Sequence, residues 1–477
     1  MGIIRTVAIN SGILFFCKLM LYAAAFFVSI FTVRYLGAAG FGKLSLVLAY
    51  ISFFQIITAF GIDAIIIKEI SKDKAKQNIF LINGIFLKLL FSIIAIILSW
   101  VIIQFMGYPK DIKNYIYIAS LAMVFSFGTI YVDVYQSHHK AEYYAIPELV
   151  ISIIYYLGIL AIIYLKCSII YFVILQAVQI IPLTIIYIYY SKRITGLQLI
   201  YQLDFNIIRY LLKESWPLFV ASILIMINMR VDQILIFKLV DVQSLGLYSS
   251  AVKMTESLNL IPLVLMTTVF PLLSSSYGSS AEKFKKIYNL SFRYVSIIIV
   301  PIALATTLLS ERFLSLIYGT NFIQASGALS LLMWSNVFVF LGVVNANILN
   351  AAGFQRYLLY FTMVGSVTNL LLNLFLIPLW GISGAALASL ISYSDGLILQ
   401  YIINDTRDLV NDLLNSTIKP ILCSVPMGIF IYCFSSLNIF LIIIISILIY
   451  LFFLIIARGI TEADMLYLKE IRSSRRS

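Results

Sequence analysis

Charge is the first thing this sequence lacks. Only 11% of its 477 residues are Asp, Glu, Lys or Arg, whereas 62% are hydrophobic and the mean hydropathy is +1.02. A soluble domain has about a quarter charged and about half apolar residues. A soluble globular protein is therefore excluded, and a polytopic membrane protein is indicated. Histidine and cysteine are scarce too. His138 and His139 are neighbours in one polar loop; adjacent residues do not share a helix face, which argues against a two-histidine metal site. Cys17, Cys167, Cys423 and Cys433 lie in or beside apolar runs with no C-x-x-C spacing. They read as free thiols rather than a disulfide framework or zinc site. Long hydrophilic stretches are missing as well, which leaves no room for a second soluble domain. The stretch "YAAAF" (22–26) resembles an export cleavage site, but Lys18 interrupts the run and apolar residues continue through Phe31. That segment reads as an uncleaved first span.

What is present is a series of apolar runs of membrane length. An all-α protein with about fourteen spans follows, twelve to fourteen in range. They cover 8–33, 44–67, 79–106, 114–137, 143–165, 168–190, 214–238, 245–276, 288–310, 324–352, 357–378, 380–403, 420–436 and 438–457. The last two are short and follow the polar stretch "NDTRDLVNDLLNSTIK", as though appended to a twelve-span body. The organisation expected is an N-lobe over 1–200, a C-lobe over 201–405, and an appended pair with a basic tail over 406–477. Of the 33 Lys and Arg residues, Arg34, Lys43, Lys110, Lys113, Lys166, Lys238 and Arg312 fall on one side, and Lys18, Lys88, Arg230 and Lys253 inside spans. All the others fall on the side of the N-terminus. The positive-inside rule then places both termini in the cytoplasm. It also makes the tail "IRSSRRS" and the net charge of +12 membrane-surface features rather than signs of nucleic acid. The loops on the opposite side are short, so an exterior catalytic domain has nowhere to sit.

The chain echoes itself. "RYLGAAGFGKLS" (34–45) and "KLVDVQSLGLYS" (238–249) join corresponding pairs of spans. At an offset of 204, Arg34 meets Lys238, Gly42 meets Gly246 and Ser45 meets Ser249. "HHKAEYYA" and "GFQRYLLY" form a second echo. Six spans per half makes the two repeats parallel, the plan of a transporter with two lobes related by a pseudo-two-fold axis.

Ionisable groups at mid-membrane cost about 2.5–3.5 kcal/mol each on insertion scales, so each needs a reason. Arg230 and Lys253 lie about 12 Å, and Lys18 and Lys88 about 15 Å, from the nearer ends of their spans. Asp232, Glu256 and Asp395 are the deep acids. Asp63, Asp133 and Glu148 fall near span ends, where snorkelling or helix capping accounts for them. Ser249, Lys253 and Glu256 form an i, i+4, i+7 stripe, either a cavity lining or a polar seam with Lys253 and Glu256 paired. In "ILIMINMRVDQILIFKLV" (223–240), Arg230 and Asp232 are about 200° apart and are not a local ion pair. Arg230 shares a face with Gln233, and Asp232 shares one with Asn228. Asn369 and Asn373, and the small residues of "GISGAALAS" (381–389), read as helix-packing features.

"RYLGAAGFGKLS", "INMRVDQILI", "LGLYSSAVKMTE", "VFPLLSS", "IYGTNF", "ILNAAG" and "NLLLNLFLIPLWGISGAALASLIS", in that order, resemble the polysaccharide (O-antigen) flippases of Wzx type. These belong to the multidrug/oligosaccharidyl-lipid/polysaccharide exporter superfamily. The resemblance covers about residues 5–405 and is weakest over the last two spans. It implies a transporter of the bacterial inner membrane, not an enzyme, with two six-helix lobes around a V-shaped cavity. It also implies alternating access, a substrate of undecaprenyl-diphosphate-linked glycan, membrane lipids and polysaccharide polymerase machinery as partners, and no cofactor beyond a coupling proton or sodium ion. A diphosphate needs cations at mid-membrane; Arg230, Lys253, Lys18 and Lys88, with Gln233, are the residues expected to bind it. Asp232, Glu256 and Asp395 are expected to couple an ion or restrain these cations. The competing expectations are a multidrug cation antiporter, a lipid II-type flippase, and a membrane glycosyltransferase or polymerase. A multidrug exporter calls for an acid-dominated cavity, and a membrane enzyme for a large extramembrane loop that the sequence lacks.

Overall fold

The structure is a computed structural model. It describes residues 3–194 and 203–459, with side chains over 12–191 and 203–459. The side chains of Arg5, Lys192 and Arg193, which enter the charge tally, and the tail "IRSSRRS" lie outside these ranges. The described residues are helical throughout their regular segments, as hydrocarbon requires of a chain that must satisfy its own backbone hydrogen bonds. By Cα proximity the chain divides into two units, Met1–Ser249 and Ser250–Ser477. In chain order the helices of the first are α1 (Ile3–Ala59), α2 (Ile62–Lys72), α3 (Gln77–Phe105), α4 (Lys110–Leu121), α5 (Thr129–Ser137), α6 (Glu142–Tyr164), α7 (Ile169–Val178), α8 (Ile180–Ile194) and α9 (Phe205–Leu239). The boundary falls within α10 (Val242–Glu256). The second unit continues with α11 (Leu260–Ser276), α12 (Ala281–Leu308), α13 (Ser310–Ile317), α14 (Ser326–Ala351), α15 (Gln355–Ile402), α16 (Asn404–Cys433) and α17 (Ile439–Ile456).

Among the described residues, twelve continuous helical segments are long and apolar enough to cross a membrane. Two of them cross twice. The 48 residues of α15 would extend about 72 Å as one rod, over twice a hydrocarbon core of about 30 Å. Gly381 breaks it with φ 55° and ψ −132°. A Cβ on Gly384 would lie 2.0 Å from the carbonyl oxygen of Leu376, eight residues back. In a straight helix those positions are about 12 Å apart, so the chain reverses here. Gly37 (φ 64°, ψ −179°) breaks α1 in the same way. Before it, Cys17 lies near Glu148 and Tyr35 Oη donates to Cys167 O at 2.8 Å, so the chain accompanies α6 in the same sense. After it, Lys43 pairs with Asp111 at 2.6 Å and Tyr50 Oη donates to Ser99 O at 2.7 Å, so the chain runs against α3. Counted with both reversals, the segments make fourteen crossings.

The repeat has a physical counterpart in the first unit. A Cβ on Gly42 would meet Val242 O at 2.0 Å, and a Cβ on Gly246 would meet Ala38 O at 1.8 Å. Ala38 and Val242, like Gly42 and Gly246, are 204 positions apart, so the contact is reciprocal, as a two-fold relation requires. Gly37 and Asp241 are also repeat mates, yet they turn the chain by different chemistry. Gly37 uses a left-handed φ, whereas Asp241 opens α10 by accepting from Ser244 N at 2.8 Å and Ser244 Oγ at 2.9 Å.

In the second unit the polar stretch expected to separate the last spans is itself helix, the first half of α16. Val410, Leu413, Thr417 and Pro420 recur at helical spacing and are buried, and α16 packs on α12 and α15. An amphipathic pattern escapes a search for apolar runs, which is why 404–419 reads as a linker. Cys423, Met427 and Ile431 then meet Ile442, Tyr450 and Leu454 of α17 in one apolar cluster.

Gly246→Ala is expected to lower the unfolding midpoint of the purified protein, at a cost of about 1–3 kcal/mol or more from backbone overpacking. Gly342→Ala in α14, where a Cβ meets nothing within 4 Å, is expected to leave the midpoint unchanged or raise it.

Candidate functional site

Between α1 and α2 the backbone turns through Phe60 (φ 46°) and Gly61 (φ 73°). A Cβ on Gly61 would lie 2.7 Å from Leu218 Cβ and 2.9 Å from Ser215 O, so α9 closes on a position that tolerates no side chain. The break puts Asp63 in the first turn of α2, where the helix dipole favours a carboxylate. Asp63 pairs with Lys88 of α3, and the same ammonium donates to Thr129 Oγ1 at the start of α5. Lys88 is 1% exposed. Asp133, one turn beyond Thr129 and 4% exposed, lies against both Asp63 and Lys88.

The approach to α5 is a 3₁₀ stretch, Ala122–Gly128, the kind of mid-helix distortion that marks strained or hinge positions. Gly128 allows it, since a Cβ there would lie 2.5 Å from Thr184 Oγ1 of α8. Ser92 donates to Lys88 O at 2.6 Å and therefore accepts from Ser126 Oγ at 2.8 Å. Asp63, Lys88, Ser126 and Thr129 line a cavity of about 530 Å³, together with Gln55 and Gln179. With all three groups ionised, two carboxylates face one ammonium. Excess negative charge beside the buried Asp133 is costly, so a further small cation would be stabilised in the cluster.

The remaining expected residues fall elsewhere. Asp232 is 5% exposed and accepts from Tyr248 Oη of α10 and from the amide of Gln233 at 2.7 Å. Arg230 is half-buried, so the two charges do separate around α9. Gln233, expected on Arg230's open face, is instead 3% exposed. The reason is angular: the buried arc of α9 runs from Asp232 through Ile236 to Gln233, about 100°, and Arg230 lies about 60° beyond it. Lys253 and Glu256 are half-buried on α10, while Ser249 is buried. Lys18 is exposed and within electrostatic reach of Glu148. Asp395 is half-buried beside Thr368, within the α15 hairpin. There Asn369 Nδ2 donates to Ser392 Oγ at 3.0 Å and Asn373 Nδ2 to Asn369 Oδ1 at 3.0 Å, both asparagines being fully buried. His138 bonds Gln77 Oε1 at 2.9 Å; burial and then nearby Lys74 and Lys140 hold its pKa below the usual imidazole range.

Asp63 and Asp133 are the site residues that span-end capping concealed. Apolar runs 44–67 and 114–137 read as unbroken, which pushes both acids to the membrane edge. The available signal is a Phe-Gly pair shortly before each acid, in "AFGID" and "SFGTIYVD".

Residues 7–277, more than half the chain, match the family described as polysaccharide biosynthesis protein. The chain belongs to that family. Residues 217–375 of this polysaccharide biosynthesis family member also match the family MatE. Among curated relatives, it is 24% identical over 155 residues to the "probable low-salt glycan biosynthesis flippase Agl15" of Haloferax volcanii, covering 32% of this chain and 33% of that one. It is 27% identical over 155 residues to "Lipid II flippase MurJ" of Bacillus subtilis, covering 31% and 28%. The chain thus spans about a third of the length of the curated relatives it matches. Its fold resembles that of "Lipid II flippase MurJ, inward closed conformation", with a TM-score of 0.75 at 18% identity over 93% of this chain and 98% of that one.

Lys88→Met is expected to destabilise the purified protein by about 3 kcal/mol, since it strands the buried carboxylate of Asp133 and leaves the half-buried Asp63 without its ion pair. Adding Asp63→Asn and Asp133→Asn to that variant is expected to recover part of the loss. Thermal unfolding of wild type, Lys88→Met, Asp63→Asn/Asp133→Asn and the triple variant checks this, and strict additivity would contradict the cluster.

Proposed function

We propose that this protein is a flippase for lipid-linked glycans, carrying polyprenyl-diphosphate-linked sugar units across a membrane by alternating access. The observation that carries the reading is the polysaccharide biosynthesis family match over 7–277. The glycan-flippase name of the Haloferax relative supports it, as does the chemistry of the buried charges. At the finer level the substrate is an undecaprenyl-diphosphate-linked repeat unit for O-antigen or another surface polysaccharide. The membrane is the bacterial inner membrane with both termini cytoplasmic, and the polysaccharide polymerase machinery is downstream. The lobes of this reading are 1–200 and 201–405, with 406–477 appended.

A diphosphate brings about two negative charges into a region where unpaired charge is costly. Arg230 and Lys253, both half-buried, and exposed Lys18 are the cations assigned to it. Lys88 is reassigned: its ammonium already serves Asp63 and Thr129, so it belongs to the coupling cluster. Asp63 and Asp133 hold the coupling proton or sodium ion there. Asp232, Glu256 and Asp395 remain as restraints on nearby groups.

The MatE match over 217–375 favours multidrug cation export as the second reading. In a strain lacking its own glycan flippase, the wild-type chain is expected to restore surface polysaccharide. Arg230→Ala and Lys253→Ala are each expected to reduce it roughly tenfold or more at unchanged protein level, on the scale of one lost charge-assisted bond. Normal polysaccharide from both variants would remove the cationic mechanism. Export of cationic dyes with no polysaccharide restored would establish the second reading instead.

A further inference from the structure

The second unit holds a basic pocket apart from the sites above. α12 contributes Lys286, Asn289 and Arg293, and α16 contributes Asn415, Ser416 and Lys419, around a cavity of about 400 Å³. The spacings are i, i+3, i+7 on one helix and i, i+1, i+4 on the other, so each helix turns a single polar face to the cavity. Asp412 is the acid at its edge. Its carboxylate accepts from Tyr288 Oη at 2.5 Å and pairs with Lys285 at 2.9 Å. The lining thus brings three cations, Lys286, Arg293 and Lys419, and three neutral hydrogen-bonding groups against the single carboxylate of Asp412.

We propose that this pocket binds the phosphate of an anionic phospholipid headgroup. Basic pockets between membrane helices suit such headgroups, because a phosphate diester is met by several donors in partly dry surroundings. The surroundings point to a lipid rather than a free anion. Leu290 lines the cavity, and on α16 the exposed apolar residues Leu414, Ile418, Ile421 and Leu422 interleave with Asn415 and Lys419. A headgroup seated at Arg293 and Lys419 thus has lipid-facing surface beside it for its acyl chains, which inorganic phosphate does not need. Three cations also favour a headgroup with net negative charge over a zwitterionic one, whose ammonium would meet like charge.

The test is a native mass-spectrometric titration of the purified full-length chain with phosphatidylglycerol and with phosphatidylcholine. Wild type is expected to retain phosphatidylglycerol preferentially, and excess inorganic phosphate is expected not to displace it. Each cation near an anionic headgroup contributes about fivefold in affinity. Lys286→Gln/Lys419→Gln is therefore expected to weaken phosphatidylglycerol binding on the order of 25-fold while leaving phosphatidylcholine binding unchanged. Lys68→Gln/Lys72→Gln in the first unit is expected to keep wild-type affinity. Equal retention of the two lipids by wild type would overturn the proposal without recourse to any variant. So would full displacement by inorganic phosphate, stronger capture of a polyprenyl diphosphate than of phosphatidylglycerol, or undiminished binding by the α12–α16 double variant.

Discussion

Hydrocarbon supplies no hydrogen bonds, so every polar group this chain carries into the membrane must be satisfied by the chain itself. Most of the architecture follows from that constraint. Helices satisfy the backbone locally, and where two helices must reverse within the membrane-length segments, a glycine does so in the smallest space, as at Gly37 and Gly381. Side chains obey the same demand. Lys88 is tolerated at 1% exposure because Asp63 and Thr129 hold its ammonium. Asn345 and Gln400 exchange paired amide bonds of 2.8 and 3.1 Å, and Asn369 spans the α15 hairpin to Ser392.

A second consequence is close backbone packing. Without a hydrophobic drive between helices in lipid, small residues bring backbones together. The reciprocal Gly42–Gly246 contact is the extreme case, with each glycine against the carbonyl four residues before the other. The repeat therefore survives as geometry where it has nearly vanished as sequence. Its two copies have also diverged in chemistry, since Gly37 and Asp241 achieve the same turn through a left-handed backbone and a side-chain cap.

Much of the fold was legible because apolar length is a strong signal: the expected spans 357–378 and 380–403 meet within a few residues of the break at Gly381. The first half of α16 was not, because its buried face is amphipathic and its composition polar. The site was legible in part. Helical angle alone separated Arg230 from Asp232, which the structure keeps apart as half-buried and buried groups. Angle alone misplaced Gln233, because the width of a buried arc depends on neighbours that one helix does not reveal. Asp63 and Asp133 were hidden by a backbone break at Gly61 and a 3₁₀ stretch ending at Gly128, positions on which α9 and α8 close, a tertiary fact.

In the proposed reading, the Asp63–Lys88–Asp133 cluster of the first unit holds a small cation, and the half-buried Arg230 and Lys253 are the residues assigned to an anionic headgroup. Together these describe coupled movement of an anionic lipid-linked substrate. The most direct measurement is transfer of a fluorescent polyprenyl-diphosphate oligosaccharide between leaflets of liposomes containing the purified chain, read by quenching from outside. The account predicts protein-dependent transfer that quickens with an imposed proton or sodium gradient. Transfer no faster than in protein-free liposomes, in a preparation that moves a cationic dye, would contradict it.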